Sequence, residues 1–175
     1  MIHLVDLPWV DVVYAHIFSH LNLQDLFSLR CVSKELCLLV DKYFVPWQSL
    51  DLSDYTCIGS TAFGVLVRSC NNLKYVNLKN NNWLDSIQLM LLLHKHCNLT
   101  ALDLSGCNNV CLHRSSIDIS KCQNLTSIKL QNCTWVTERF LLNLAQCTKL
   151  QEVILADCYQ VSDQAVISFC QNSGR

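Results

Sequence analysis

The sequence is poor in the residues that interrupt regular secondary structure, with only 4 Gly and 2 Pro among 175 residues. A β-sandwich or a barrel joined by tight turns needs more of both, so these architectures are disfavoured. Apolar residues make up 51% of the chain and charged residues 15%. This composition is typical of a globular protein and not of a disordered one.

The sequence also lacks an excess of either charge. Lys and Arg total 13, Asp and Glu total 14, and no basic run occurs, so nucleic-acid binding has no electrostatic basis and is not expected. No apolar run reaches the roughly 18 residues of a membrane-spanning helix, and no membrane partner is expected. The opening segment MIHLVDLPWVDVV has no Lys or Arg and contains Asp6 and Asp11. It therefore does not resemble a secretory signal.

Cysteine is abundant, with 12 copies. Without a secretory signal we expect free thiols in a reducing compartment, and hence a cytoplasmic protein, with the nucleus as an alternative location. Three Asn-x-Thr sequons, beginning at Asn98, Asn124 and Asn132, keep a secreted alternative open.

A repeat organises most of the chain. Five segments share the pattern apolar-x-x-apolar-x-apolar at steps of 26, 26, 26 and 25 residues. The matching positions are Trp47/Leu50/Leu52, Leu73/Val76/Leu78, Leu99/Leu102/Leu104, Leu125/Ile128/Leu130 and Leu150/Val153/Leu155. Three residues beyond each last apolar position stands a turn residue. These turn residues are Tyr55, Asn81, Cys107, Cys133 and Cys158.

The period and the L-x-x-L-x-L-x-x-N/C core are typical of leucine-rich repeats. Each repeat contributes a short strand whose alternate side chains face one way, and stacking buries a shared core. Residues 45–175 are therefore predicted to form an α/β solenoid of about five repeats, with parallel strands on the concave face and helices on the convex face. The third convex segment, CLHRSSIDISK, has three serines and is expected to be irregular.

The periodic cysteines are interpreted as buried core residues. No C-x-x-C occurs, so we expect neither a metal nor another cofactor. No arrangement of nucleophile, base and orienting residue emerges either, and no catalytic residue is proposed.

Residues 3–44 do not follow the repeat and are predicted to form three helices. Pro8 suits the first turn of the first helix, along which Val13, Ile17 and Leu21 form an apolar stripe. Asn22 is expected to cap the second helix, and Ser33 the third. The apolar surface exceeds what a small core needs, which indicates a partner.

A set of residues in this segment forms a recognisable pattern: Leu7-Pro8, Ile17-Phe18, Leu21, Asp25-Leu26, Leu29 and Val32-Ser33. This pattern resembles an F-box, although Leu36 stands where many F-boxes carry Trp. Together with the cysteine-containing repeats, it resembles the F-box/LRR-repeat family. That resemblance implies a non-catalytic substrate receptor of an SCF ubiquitin ligase. Its F-box would bind the SCF adaptor and, through it, the cullin scaffold, while the repeats hold a substrate protein.

Under this resemblance, the adaptor-binding residues are Leu7, Pro8, Ile17, Leu21 and Leu26. The alternative for Ile17 and Leu21 is that they fill the core of the three helices.

Strand alternation predicts the substrate surface. If Leu102 and Leu104 point inward, then Ala101, Asp103 and Ser105 point outward onto the concave face. The corresponding exposed column is Asp51, Asn77, Asp103, Lys129 and Ile154. Trp83 and Trp135 occupy equivalent positions after their strands and, with Tyr159, are candidate binding anchors. The alternative is that each Trp packs on a neighbouring repeat.

Two further expectations remain open. The rival to a ligase receptor is a repeat scaffold or inhibitor whose N-terminal helices are only a cap. In addition, the polar end QNSGR is too short to cap the fifth repeat, so we expect either that the chain is a shortened relative or fragment, or that it self-associates at that repeat.

Overall fold

The computed structural model describes residues 4–53, 55, 58–111 and 117–173. The chain divides into two compact units, Met1–Trp47 and Gln48–Arg175. No helix in the described part of the chain is long and apolar enough to cross a membrane.

The described residues of the first unit are mostly helical. It contains a 3-10 turn at Leu4–Asp6, a π-helix at Trp9–Tyr14, a 3-10 helix at Phe18–His20 and two α-helices, α1 (Leu23–Arg30) and α2 (Lys34–Phe44). The expected first α-helix is thus replaced by shorter π and 3-10 segments. The Pro8 carbonyl accepts hydrogen bonds from the N–H groups of both Val12 and Val13, at 3.1 and 3.2 Å. The second bond spans five residues and widens the turn in a stretch rich in β-branched valines, which fit a regular helix poorly.

The two α-helices begin where their caps predict. The Asn22 side chain accepts from the Asp25 N–H at 2.9 Å, and the Asp25 carboxylate accepts from the Asn22 N–H at 3.4 Å, which completes a capping box. The Ser33 hydroxyl oxygen accepts from the Leu36 N–H at 3.2 Å. These local bonds satisfy N–H groups that would otherwise have no partner inside a helix.

The core of the first unit is apolar and aromatic. Val13, Leu39 and Phe44 are fully buried. Trp47, which the repeat pattern assigned to the first repeat, belongs to this unit and stacks edge-on against Phe44, with ring centroids 4.9 Å apart. Arg30 and Asp41 join α1 to α2 through two hydrogen bonds of 2.7 and 3.1 Å.

The second unit contains an open, parallel, five-stranded sheet whose strand order follows the chain. The strands are β1 (Ser49–Asp51), β2 (Tyr75–Asn77), β3 (Ala101–Asp103), β4 (Ser127–Lys129) and β5 (Glu152–Ile154). The helices between and after them are α3 (Ser60–Ser69), α4 (Ser86–Lys95), α5 (Glu138–Leu144) and α6 (Asp163–Asn172). The described residues between β3 and β4 contain no helix, and residues 112–116 of the segment expected to be irregular lie outside the described residues.

The strand register agrees with the repeat alignment. Leu50, Val76, Leu102, Ile128 and Val153 lie side by side across the sheet. All of these side chains except Val153 are at most 2% exposed. The repeat therefore produces one continuous apolar layer beneath the strands.

The turn residue of each repeat donates a hydrogen bond to the repeat before it. The Asn81 amide donates to the Leu52 carbonyl at 3.1 Å, and the Cys133 thiol donates to the Leu104 carbonyl at 3.0 Å. Cys107 and Cys158 make the equivalent bonds at 2.9 and 3.0 Å. A thiol and an amide thus serve the same purpose, since each adds a bond from the next repeat to a carbonyl at the end of a strand. The carbonyls of Leu52, Leu78 and Leu104 also accept a backbone N–H from their own turn.

A second column explains how the chain turns after each strand. Asn80, Gly106, Asn132 and Asp157 all have left-handed backbone conformations, with φ of 61, 72, 54 and 59°. Gly, Asn and Asp adopt this conformation more readily than other residues. Four successive repeats therefore turn in the same way, which aligns the loops along one edge of the sheet.

Candidate protein-interaction surfaces

Four of the predicted adaptor contacts reach the surface of the first unit. Pro8 is exposed, while Leu7, Ile17 and Leu21 are half-buried. They form two local pairs, with Leu7 and Pro8 before the π-helix and Ile17 and Leu21 on either side of the 3-10 helix. Ile17 and Leu21 are therefore partly packed against the core and partly exposed to solvent.

Leu26 requires a correction. Its side chain is only 2% exposed and lies on the inner face of α1. A partner could reach it only by opening the three-helix core, so Leu26 supports the fold and is not a surface contact.

Sequence reasoning missed further exposed apolar side chains on this unit. Val10, Val32 and Leu38 are 69, 70 and 59% exposed. Leu38 could have been found, because a helical step of about 100° per residue sets it opposite the buried Val40 on α2. Exposed apolar side chains are common singly, but several around one small unit are typical of an interaction site.

Contacts between segments support this surface. The Tyr14 hydroxyl donates to the Leu39 carbonyl at 3.1 Å, and the Lys42 ammonium lies 4.3 Å from the centre of the Trp9 ring. The hydrogen bond to Asp41 raises the pKa of Arg30 further above its already high ordinary value. Contacts between segments thus hold the apolar surface in one arrangement.

The predicted column on the second unit is accessible but not uniform. Asp51 and Lys129 are exposed, and Asn77, Asp103 and Ile154 are half-buried. The Asn77 amide donates to the Asp51 carboxylate at 3.1 Å. Burial alone would raise the pKa of Asp51, but hydrogen bonds from Ser53 and Asn77 lower it overall, so this carboxylate is ionised at neutral pH.

Ser105 does not face outward as expected. It is 6% exposed, and its N–H donates to the Asp103 carboxylate at 2.9 Å. Strand alternation fails here because β3 ends at Asp103 and the chain has begun to turn.

The two tryptophans pack on the repeats. Trp135 is 5% exposed, its indole N–H donates to the Cys107 carbonyl at 2.7 Å, and its ring meets Phe140 edge-on at 5.1 Å. Its assignment as a binding anchor is therefore wrong, because no partner can reach the ring. Trp83 is half-buried and lies 5.1 Å from the Phe63 ring, which also favours packing.

Tyr159 differs from both tryptophans. It is 81% exposed and lines a polar groove of about 370 Å³ at the turn edge of the sheet. We call this depression the turn groove; Lys79, Asn80, Ser105, Gly106, Gln131, Asn132, Asp157 and Tyr159 line it. The sequence offered one signal, since Tyr159 is aromatic at a turn position where the other repeats have Asn82, Asn108 and Thr134.

The opposite edge of the sheet carries a row of asparagines. The Lys149 ammonium donates to the Asn124 side-chain oxygen at 2.6 Å, and the Asn124 amide donates to the Asn98 oxygen at 3.2 Å. Two of the three sequon asparagines are thus engaged in a hydrogen-bonded ladder across neighbouring repeats.

The surroundings of the buried cysteines keep their thiols neutral. The eleven cysteines within the described residues are free thiols, and no group of three or more His, Cys, Asp or Glu side chains in that part of the chain could hold a metal ion. Burial raises the pKa of Cys107 to about 11 and of Cys133 to about 12. These thiols are neutral near pH 7 and are poor nucleophiles and metal ligands in that state.

Known proteins resemble each part of the chain. The F-box domain family matches residues 5–45. F-box/LRR-repeat protein 15 of Mus musculus is 28% identical over 111 residues, which are 62% of this chain. The match covers only 37% of that relative's length.

The fold has a counterpart among solved structures. The tropomodulin C-terminal domain of Caenorhabditis elegans superposes with a TM-score of 0.57 at 13% identity, covering 82% of this chain and 93% of that one. At this identity the similarity concerns the fold alone. The F-box domain at residues 5–45 and the partial match to F-box/LRR-repeat protein 15 support an assignment of the chain to the F-box/LRR-repeat family.

Proposed function

We propose that this chain is the substrate-recognition part of an SCF-type ubiquitin ligase. Residues 3–44 form the F-box and bind the SCF adaptor, which links the chain to the cullin scaffold. Residues 45–175 form a leucine-rich-repeat solenoid that binds the substrate protein. The observation that carries the proposal is the F-box match over residues 5–45, on a unit that keeps apolar side chains at its surface.

The adaptor surface includes Leu7, Pro8, Ile17 and Leu21, extended by Val10. The unit already has a complete core without them, since Val13, Leu26, Leu39 and Phe44 are at most 2% exposed. Their apolar area therefore remains available to stabilise a complex, at about 25 cal/mol for each Å² removed from water.

The repeats contribute recognition and no chemistry. Asp51, Asn77, Asp103, Lys129 and Ile154 offer carboxylates, an amide, an ammonium group and an apolar side chain along one line, which suits a polar protein surface. In an SCF ligase the reactive thioester belongs to another subunit, so the chain acts by holding the substrate near it. The proposed location is the cytoplasm or the nucleus.

Co-purification with recombinant adaptor and cullin tests the proposal. Wild-type chain should recover both, and the double variant Leu7→Ala/Pro8→Ala should recover neither while keeping its circular dichroism spectrum. Ile87→Ala is the matched control, because Ile87 is a 74% exposed apolar residue on α4 of the other unit. Failure of the wild-type chain to recover the adaptor would instead support the repeat scaffold whose N-terminal helices are only a cap.

A further inference from the structure

We propose that the substrate is read in the turn groove, as an extended peptide segment with an acidic and a basic side chain about four residues apart. This inference rests on the proposed function, and it specifies the class of substrate that the repeats accept. It also shifts the recognition site from the central strand column to the edge where the strands end.

One glycine allows two neighbouring repeats to meet in the floor of the groove. Gly106 has φ of 72°, and a Cβ added there would collide with the side-chain oxygen of Asn80. The other repeats carry a side chain at this position, namely Asn80, Asn132 and Asp157. The Asn80 side chain occupies the space that a side chain at position 106 would take, so the second and third repeats approach each other closely in the floor of the groove.

The two ends of the groove carry opposite charges. Lys79 belongs to the second repeat and Asp157 to the fifth, and both line the groove. Neither forms an ion pair with another residue in the described part of the chain. Between them lie the amides of Asn80, Gln131 and Asn132, which can donate and accept hydrogen bonds without adding charge. A complementary ligand is therefore acidic at the Lys79 end and basic at the Asp157 end.

Tyr159 strengthens the assignment of the basic end. It is the most exposed large apolar side chain in the described part of the chain, at 81%, and it lies two residues from Asp157. A ring beside a carboxylate suits a Lys or Arg side chain, which the face of the ring and the charge both attract. Tyrosine is also favoured as an anchor in protein interfaces.

The spacing of the two charges follows from the sheet. Lys79 and Asp157 are separated by three steps between neighbouring strands, and each step is about 4.8 Å, which gives about 14 Å. An extended chain advances about 3.3 Å per residue, so four residues cover this span. An acidic side chain at one position and a basic one four residues away would meet both ends at once.

Fluorescence anisotropy with labelled peptides tests the inference on the full chain. Peptides of Ala, Ser and Gly would carry one Glu and one Arg, either four residues apart or adjacent. We expect the four-residue spacing to bind up to about fivefold more tightly than the adjacent isomer, because only the four-residue spacing places a charge at each end of the groove. Equal binding of the two isomers would overturn the inference.

A charge substitution provides a test that misfolding cannot mimic. Lys79→Glu makes both ends of the groove acidic. This variant should bind the Glu/Arg peptide more weakly than the wild-type chain does, and it should bind a peptide with two Arg residues four apart about tenfold more tightly. Lys149→Glu, on the opposite edge of the sheet, is the matched control and should keep wild-type preferences. Unchanged preferences in Lys79→Glu would refute the assignment, and Tyr159→Ala should weaken the Glu/Arg peptide about fivefold.

The outcome can be separated from that of the ligase proposal. The same protein samples would be assayed for adaptor recovery, which depends on the other unit. Adaptor recovery without peptide selectivity would reject only the turn groove. Peptide selectivity without adaptor recovery would reject only the ligase role and leave a peptide-binding scaffold.

Discussion

Replacing Leu104 by Ala tests the stacked core most directly. Leu104 is fully buried in a column with Leu52, Leu78 and Leu130, all 0% exposed, so it has a repeat on each side. Its N–H donates to the Lys129 carbonyl at 2.8 Å, and its carbonyl accepts from the Cys133 thiol at 3.0 Å. Both bonds tie the Leu104 backbone to the fourth repeat, and the Leu78 N–H ties the adjacent Asp103 carbonyl to the second repeat at 2.8 Å, so the backbone resists closing the cavity left by the substitution.

The expected cost is about 3–5 kcal/mol, the upper part of the range for buried Leu truncations. For a unit of this size each kcal/mol lowers the melting temperature by about 4 °C, so the shift should be about 12–20 °C. Urea unfolding followed by circular dichroism would give the free energy of unfolding, and a thermal scan would give the shift.

Two controls sharpen the measurement. Lys129→Ala removes an exposed side chain from the neighbouring strand and should change the free energy of unfolding by no more than about 0.5 kcal/mol. Leu155→Ala repeats the same chemistry in the fifth repeat, where the side chain is only half-buried, and should cost about 1–2 kcal/mol. Asp103 is unsuitable as a control, because its carboxylate accepts the Ser105 N–H. An equal loss in the free energy of unfolding for Leu104→Ala and Leu155→Ala would refute the reasoning, because burial between two repeats would then add nothing to stability.

Two other predictions concern pH and helix capping. Burial raises the pKa of Cys122 and Cys133 to about 12, so the unfolded chain loses these protons first as the pH rises above about 9. The melting temperature should therefore fall between about pH 9 and 12, and it should fall less steeply in Cys133→Ala. The same slope in the wild-type chain and in Cys133→Ala would contradict the burial of the Cys133 thiol as the cause. Asn22→Ala should cost the first unit about 1 kcal/mol in urea unfolding, because the Asp25 N–H loses its acceptor, whereas the exposed Gln24→Ala should stay within about 0.5 kcal/mol. Equal effects of those two substitutions would mean that the cap contributes nothing.

The amino-acid sequence by itself determined the strand register and the local helix starts. A constant step of 25–26 residues brings equivalent residues side by side, so Leu102 lies between Val76 and Ile128 without any further information. The capping box of Asn22 and Asp25 was equally predictable, because its bonds join residues only three apart. Structural features that depend on the repeat period or on neighbouring residues can be predicted from the sequence alone.

The tertiary structure alone decided which side chains can be reached. Leu26 and Trp135 looked like contacts for a partner, yet neighbouring segments bury both, and the acceptor for Trp135 lies 28 residues away at Cys107. Tyr159 carries a similar aromatic side chain and remains exposed. The turn groove likewise depends on Gly106 lying beside Asn80, from the preceding repeat. Burial and grooves are set by residues about one repeat apart in the chain, and no local pattern specifies how closely their side chains meet.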